Sequence, residues 1–328
     1  MRIGIIGAGT MGGRYAERIA SGEFGADLEL AGVADLDSAR AAAVASPLNV
    51  EAYPSAEALL ASAGLEAAYI ATPDGAHLAP ALAVADAGIP FLLEKPLATT
   101  VEDARAIIAA VEAAGIVAEL NFSNRWNPPF VAAKQAIDRG ELGDFVTLFT
   151  RLNNSIGSPT ERLGWAGRTT SGWFLLSHCL DLAYWLHGRR ATSVYASGTR
   201  GILESRGVPT YDSIHAIVRY EDGTDGSYES VWVLPDGMPA PVEFMFRYVG
   251  SEGAATIDTH EQNIAVATGS RLDYPGTLNW APQRMSDFIA AVRGEREPAV
   301  PIADGLETTR ILVALHRSLE SGTVERVN

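Results

Sequence analysis

Through the first 120 residues, short apolar runs alternate with alanine-rich stretches of helical length. Residues 2–6, 28–34, 67–70, 90–93 and 117–120 are apolar almost throughout, and 11–20, 38–46, 77–87 and 101–114 between them read as helices. Strands that show no polar alternation are buried on both faces, so this rhythm predicts a doubly wound parallel sheet with helices on either side. Gly88 with Pro90, and Gly115, fall where two of the helices should stop.

After residue 120 the rhythm changes. Residues 129–139 read as a helix with proline in its first turn and Gly140 just past its end. Strand candidates follow at 144–152, 192–198, 213–220, 227–233, 242–249 and 254–257, divided by turn signals such as Glu221-Asp222-Gly223. Helices at 175–186, 282–292 and 305–321 complete the series. The expected second domain, 121–328, is α/β with a large, mostly antiparallel sheet, one face covered by helices and the other open.

Composition narrows the function. The chain has 328 residues, 47% hydrophobic and 20% charged, which suits two globular domains. Its net charge of −15, with no basic stripe, makes a poor binder of phosphate backbones, so no nucleic-acid partner is expected. Cys179 is the only cysteine and forms no internal disulfide. No uninterrupted apolar run reaches membrane-spanning length, and no targeting segment precedes the first strand. The expectation is a soluble cytoplasmic protein acting on a small molecule. No His/Cys/Asp cluster has ligand spacing, so no metal is expected.

Gly7-Ala8-Gly9-Thr10-Met11-Gly12 lies between the first strand and the first helix. In such a turn Gly7 permits the tight bend, Gly9 lets backbone approach a pyrophosphate, and Gly12 lets helix and strand pack closely. The phosphates would rest on the helix N-terminus, where free N–H groups and the dipole favour anions. Asp35 ends the second strand, placed to accept from the ribose hydroxyls and repel a 2′-phosphate, while Asp37 or Ser38 can cap the next helix without it. The expected cofactor is NAD. Arg40 is close enough to accept a phosphate and leaves NADP open.

Only Lys95 and Lys134 among the 25 basic residues are lysine. Lys95, in Glu94-Lys95-Pro96, follows the 90–93 strand at the sheet edge where ligands of open α/β sheets bind. An ammonium can take part in proton transfer, whereas a guanidinium stays charged. A chain that otherwise uses arginine thus places a lysine where chemistry is expected.

The chain resembles the Gfo/Idh/MocA oxidoreductases along essentially its whole length. The similarity lies in the GAGTMG turn, in Ala71-Thr72-Pro73-Asp74-Gly75-Ala76-His77, and in Glu94-Lys95-Pro96. It continues through Arg125-Trp126-Asn127-Pro128, Ser177-His178-Cys179-Leu180-Asp181, Trp185-Leu186-His187-Gly188 and Asp304-Gly305-Leu306. The resemblance implies an N-terminal Rossmann domain, a C-terminal α/β domain with an open sheet, and homodimers or homotetramers formed through that sheet. It also implies a nicotinamide cofactor and sugar, cyclitol or related substrates. By matching positions, Ala71, Thr72, Pro73 and His77 would line the nicotinamide side with Glu94 and Lys95 nearby. Lys95 would stabilise the developing alkoxide and His178 would take the hydroxyl proton. Asn121, Arg125, Trp126 and Asp181 would lie on the substrate side, with Trp165 and Arg168 as further contacts from a glycine-rich loop.

One position departs from the family pattern. Where relatives carry an Asp four residues before the histidine, this chain has Phe174. An aromatic wall there favours a substrate with an apolar or ring face. Several residues keep plainer readings: His178 as a core histidine, His77 as a helix start, Arg168 as a solvated charge. The loss at 174 also supports an alternative function, a catalytically eroded dinucleotide-binding sensor or regulator. An amino-acid or homoserine-type dehydrogenase would share the first domain but leaves Glu94-Lys95-Pro96 and the later histidine unexplained.

Overall fold

The structure, a computed structural model, describes residues 1–62, 64–238, 240–258, 263–267, 272–273 and 281–328. The chain forms two compact units. One comprises Met1–Ser123 with Trp280–Leu306, the other Asn124–Asn279 with Glu307–Asn328.

In the first unit β1 (Arg2–Ile6), α1 (Thr10–Ala20), β2 (Glu29–Ala34), α2 (Ser38–Ala45), β3 (Ala52–Tyr53), α3 (Ala56–Ser62), β4 (Ala67–Ile70), α4 (Leu78–Asp86), β5 (Phe91–Leu93), α5 (Val101–Ala114) and β6 (Ala118–Leu120) follow one another. The strands pair in the order β3-β2-β1-β4-β5-β6, all parallel, which is the doubly wound Rossmann arrangement. β3 and α3 were not foreseen, because two residues of strand leave too little pattern to read.

The second unit begins with α6 (Pro128–Asp138), β7 (Phe145–Asn154), α7 (Ser177–His187), β8 (Ala191–Thr199) and the short α8 (Ile202–Ser205). It continues with β9 (Ser213–Tyr220), β10 (Asp225–Val231), β11 (Val242–Gly250), β12 (Ala254–Asp258), β13 (Asn263–Ala267) and β14 (Leu272–Asp273). α9 (Ala281–Val292) belongs to the first unit, and α10 (Gly305–Ser321) and β15 (Glu325–Arg326) close the chain. Among the described residues the sheet has nine strands, β14-β13-β12-β11-β7-β10-β9-β8-β15. Its β7–β10 pair is parallel and its other pairs are antiparallel. One face packs on the core through Leu148, Leu152, Ile214, Val218 and Phe246. On the other, register aligns Phe149, Ser227, Ile217 and Tyr195 in one cross-strand row. Its three large apolar members are 37%, 51% and 43% exposed for Phe149, Ile217 and Tyr195.

The segment around α9, which chain order assigned to the second domain, packs on the first. Met285, Phe288 and Ile289 join the core formed by Ile3, Ile5, Tyr15 and Tyr69. Beyond them the chain pairs with the outer edge of β6: Leu120 N–H donates to Val300 O (3.1 Å), and Glu119 pairs with Pro301. Covering an exposed sheet edge removes a site for aberrant pairing. Glu119 is fully buried, one carboxylate oxygen accepting from Ala299 N–H (2.8 Å) and the other without a partner.

Burial pushes the Glu119 carboxyl up to about 7. The folded state therefore holds a proton that the unfolded chain releases above the ordinary glutamate range. This contribution to stability is present in acid and lost as pH rises to about 7. Glu119→Gln should flatten that dependence and raise stability at pH 8 by about 1–3 kcal/mol. Denaturant melts across the pH range check this; an unchanged slope in the variant would contradict it.

Candidate active site

In the first unit the candidate residues gather at the carboxyl edge of the parallel sheet. Gly7 has φ +100°, a conformation disfavoured for residues with a side chain, and a Cβ there would stand 2.6 Å from Ala71 O. A Cβ on Gly12 would stand 1.8 Å from Gly7 O. Gly9 differs: a Cβ there would meet nothing within 4 Å. Two glycines are thus required by packing, and the third borders open space. Gly9 is the N-cap of α1 with no side chain capping it, leaving first-turn N–H groups directed outward. This is a cradle that fits a pyrophosphate. Ala8 is buried, Thr10 is exposed and Met11 half-buried around it.

Asp35 stands at the rim. Its Oδ2 accepts from Ala8 N–H (2.8 Å) and its Oδ1 from Asp37 N–H (2.9 Å), while Asp37 alone caps α2. Arg40 lies 3.7 Å from Asp35 and 3.4 Å from Asp37. Asp35 is therefore held beside the glycine turn, with a cation within reach.

The loops after β4 and β5 are joined by His77. This buried side chain has Nδ1 2.7 Å from Pro96 O and Nε2 3.0 Å from Thr72 O. Thr72 Oγ1 donates to Ala76 O at 3.0 Å, and Pro73 is exposed. With both ring nitrogens facing backbone, His77 ties together the turns that carry Ala71-Thr72-Pro73 and Glu94-Lys95-Pro96.

Glu94 faces inward. Its Oε1 accepts from Tyr69 O–H and from Asn121 Nδ2, and its Oε2 from Lys95 N–H (3.3 Å). Arg284 of α9 donates to Asn121 Oδ1. Glu94, Asn121, Tyr69 and Arg284 are all buried, and Tyr15 stacks on Tyr69 at 4.2 Å. Lys95, the next residue, is half-buried at the end of β5. Sequence reading placed Glu94 against cofactor and Asn121 against substrate. In the structure the hydrogen-bonding atoms of both are engaged within the protein. Tyr69 and Arg284 were missed, although an arginine directly preceding Met285 and four residues before Phe288 lies on the apolar stripe of its helix.

The other candidate residues lie in the second unit. Residues Gly172–Leu176 wind as a π turn that leads into α7. Phe174 therefore stands in the wider turn, and the α-helix expected from residue 175 begins at Ser177; such segments recur at functional sites. His178 is half-buried near the start of α7. Asp181 and Arg125 form a buried two-pronged ion pair, Nε to Oδ2 at 3.0 Å and Nη2 to Oδ1 at 2.6 Å. The Arg125 guanidinium also lies 5.9 Å from the Trp185 ring centre. Two prongs of the Arg125 guanidinium are therefore engaged within this unit.

Phe174 contacts Trp165 edge-on at 6.0 Å and Trp232 at 5.7 Å between ring centres. Trp173 stacks on His316 at 4.8 Å instead, and burial pushes the His316 imidazole down to about 4. Arg168 is exposed, and Trp126 is half-buried. Among the described residues, no three His, Cys, Asp or Glu side chains gather as a metal would require, and no helix is long and apolar enough to cross a membrane.

Residues 1–122 match the family model described as "Oxidoreductase family, NAD-binding Rossmann fold", and 130–256 match the GFO/IDH/MocA C-terminal domain. The chain belongs to the Gfo/Idh/MocA oxidoreductase family. Its first domain is an NAD-binding Rossmann domain, and its cofactor is NAD. Among relatives, inositol 2-dehydrogenase 1 of Saccharopolyspora erythraea is 28% identical, covering 98% of this chain and 95% of the relative. The scyllo-inositol 2-dehydrogenase (NAD(+)) of Bacillus subtilis is 27% identical, covering 98% and 95%. Among solved structures, the WlbA dehydrogenase of Bordetella pertussis, in complex with NADH and UDP-GlcNAcA, shares the fold. Its TM-score is 0.84 at 24% identity, over 100% of this chain and 99% of that one.

The rim geometry makes cofactor choice testable. Asp35→Ser removes the carboxylate beside Arg40 and should shift the NADP-to-NAD ratio of kcat/KM upward by about tenfold or more. Steady-state kinetics with both cofactors measure it; an unchanged ratio would remove Asp35 from the ribose site.

Proposed function

We propose that this protein oxidises a carbinol carbon of a sugar, cyclitol or related polyol, or reduces the matching carbonyl. The observation that carries this reading is Lys95 at the carboxyl end of β5, on the same sheet edge as the nucleotide turn of β1. The inositol dehydrogenases among its relatives support the substrate class.

Bound NAD supplies the hydride acceptor. Gly9, Asp35 and the first turn of α1 would hold it. Lys95 stabilises the developing alkoxide by its charge, and His178 receives the hydroxyl proton. The ion pair with Arg125 keeps Asp181 fixed one turn beyond His178. Trp165 and Phe174 offer aromatic surface, which suits a substrate presenting an apolar or ring face. The exposed row of Phe149, Ile217 and Tyr195 supports a homodimer or homotetramer built on the open sheet.

Phe174 in place of an acid also supports a second reading, a dinucleotide-binding sensor without turnover. A panel of sugars, cyclitols and keto-sugars with NAD+ or NADH separates the two. Turnover is expected, and Lys95→Met and His178→Ala should each lower kcat by about 100-fold or more while NADH binding survives. NADH binding without turnover on any panel member would favour the sensor.

A further inference from the structure

Arg284 is a buried guanidinium with no carboxylate within ion-pairing distance among the described residues. It lies over the Tyr15 ring, 5.2 Å from the ring centre, donates to Asn121 Oδ1, and leaves Nε without a partner. Burying such a charge opposes folding, and an apolar side chain of similar length would fill the same space with less penalty. A structural role therefore accounts poorly for its presence.

The hydrogen-bond chain suggests another role. A guanidinium only donates, so Arg284 obliges Asn121 to turn its amide oxygen toward α9 and its NH2 toward Glu94. Without Arg284 the buried Asn121 amide oxygen loses its donor, and the amide can draw away from Glu94 to find another. Glu94 is bonded to Lys95 through the Lys95 backbone N–H. We propose that Arg284 is a positioning residue which, by anchoring the Asn121 amide through its oxygen, holds Glu94 turned inward and so sets the placement of the Lys95 amine. The importance of that placement for turnover rests on the function proposed above; the placement itself does not.

Arg284→Met and Arg284→Lys test this in the full-length protein. In Arg284→Met the released Glu94 carboxylate can hold and shield the Lys95 side chain, which slows its acylation. Trace acetylation followed by peptide mass spectrometry should show Lys95 labelling slowed by about threefold or more. The internal standard is the other lysine, Lys134, which pairs with Asp138 on α6. The same variant should lose about tenfold or more in kcat with NADH affinity within about threefold of wild type and no fall in Tm. Arg284→Lys, which retains a donor for Asn121, should recover part of both losses. Adding Asn121→Leu to Arg284→Met should lower kcat no further than Asn121→Leu alone, within about twofold, because both act through one relay.

Unchanged Lys95 labelling in a folded Arg284→Met protein would overturn the proposal. So would a loss of activity that tracks a fall in Tm, or a failure to fold, since either makes the arginine structural. Labelling needs no substrate, so it decides this inference even where wild-type turnover is absent and the proposed function fails.

Discussion

At the first turn, the backbones of β1 and α1 approach so closely that a single methyl group at Gly12 would collide with the Gly7 carbonyl oxygen. That approach brings the helix N-terminus to the carboxyl edge of the sheet, and much of the functional geometry follows from it. It leaves the Ala8 N–H to hold Asp35, and so places that carboxylate beside the glycine turn. It also sets Gly7 against the chain leaving β4, where Ala71-Thr72-Pro73 begins. The open space at Gly9 is the complement of this packing: the same turn that excludes side chains at two positions leaves room for a ligand at the third.

Farther along the same edge, polar groups replace backbone contacts as the organising force. Glu94 gathers donors from β4 through Tyr69 and from the end of β6 through Asn121. α9 acts on it indirectly, Arg284 holding Asn121. A buried carboxylate must be satisfied by donors, and meeting that requirement fixes the turn on which Lys95 stands. The return of the chain after the second sheet is thus more than an edge cover, because it delivers the residue that orients this network. In the other unit the Arg125–Asp181 pair does comparable work for α7, neutralising two buried charges beneath the helix that carries His178.

Much of this was legible in the sequence because it rests on local rules. The strand-glycine-helix order, the apolar strands and the scarcity of lysine all read directly along the chain. The doubly wound sheet follows from them. What could not be read is non-local. Asp181 reads along the chain as a substrate-side residue, and nothing there announces its pairing with Arg125 from the turn before α6. Asn121 and Glu94 looked outward because nothing along the chain announces Tyr69 and Arg284. The π turn at Gly172–Leu176 differs from an α-helix by one residue of winding, a distinction that hydrophobic pattern does not encode. Chain order likewise misassigned α9, since a segment that crosses back carries no marker of the core it will join.

The first turn belongs to an NAD-binding Rossmann domain, and its open space at Gly9 is suited to a dinucleotide. Substituting Gly9 and Gly12 by alanine in parallel tests it most directly, with NADH affinity and thermal stability measured for each. Gly9→Ala should keep stability within about 0.5 kcal/mol of wild type, because its Cβ enters open space. NADH binding should weaken by about tenfold or more, since that space is where the pyrophosphate must approach. Gly12→Ala should lose stability first. NADH affinity at the wild-type level in a folded Gly9→Ala protein would contradict the account.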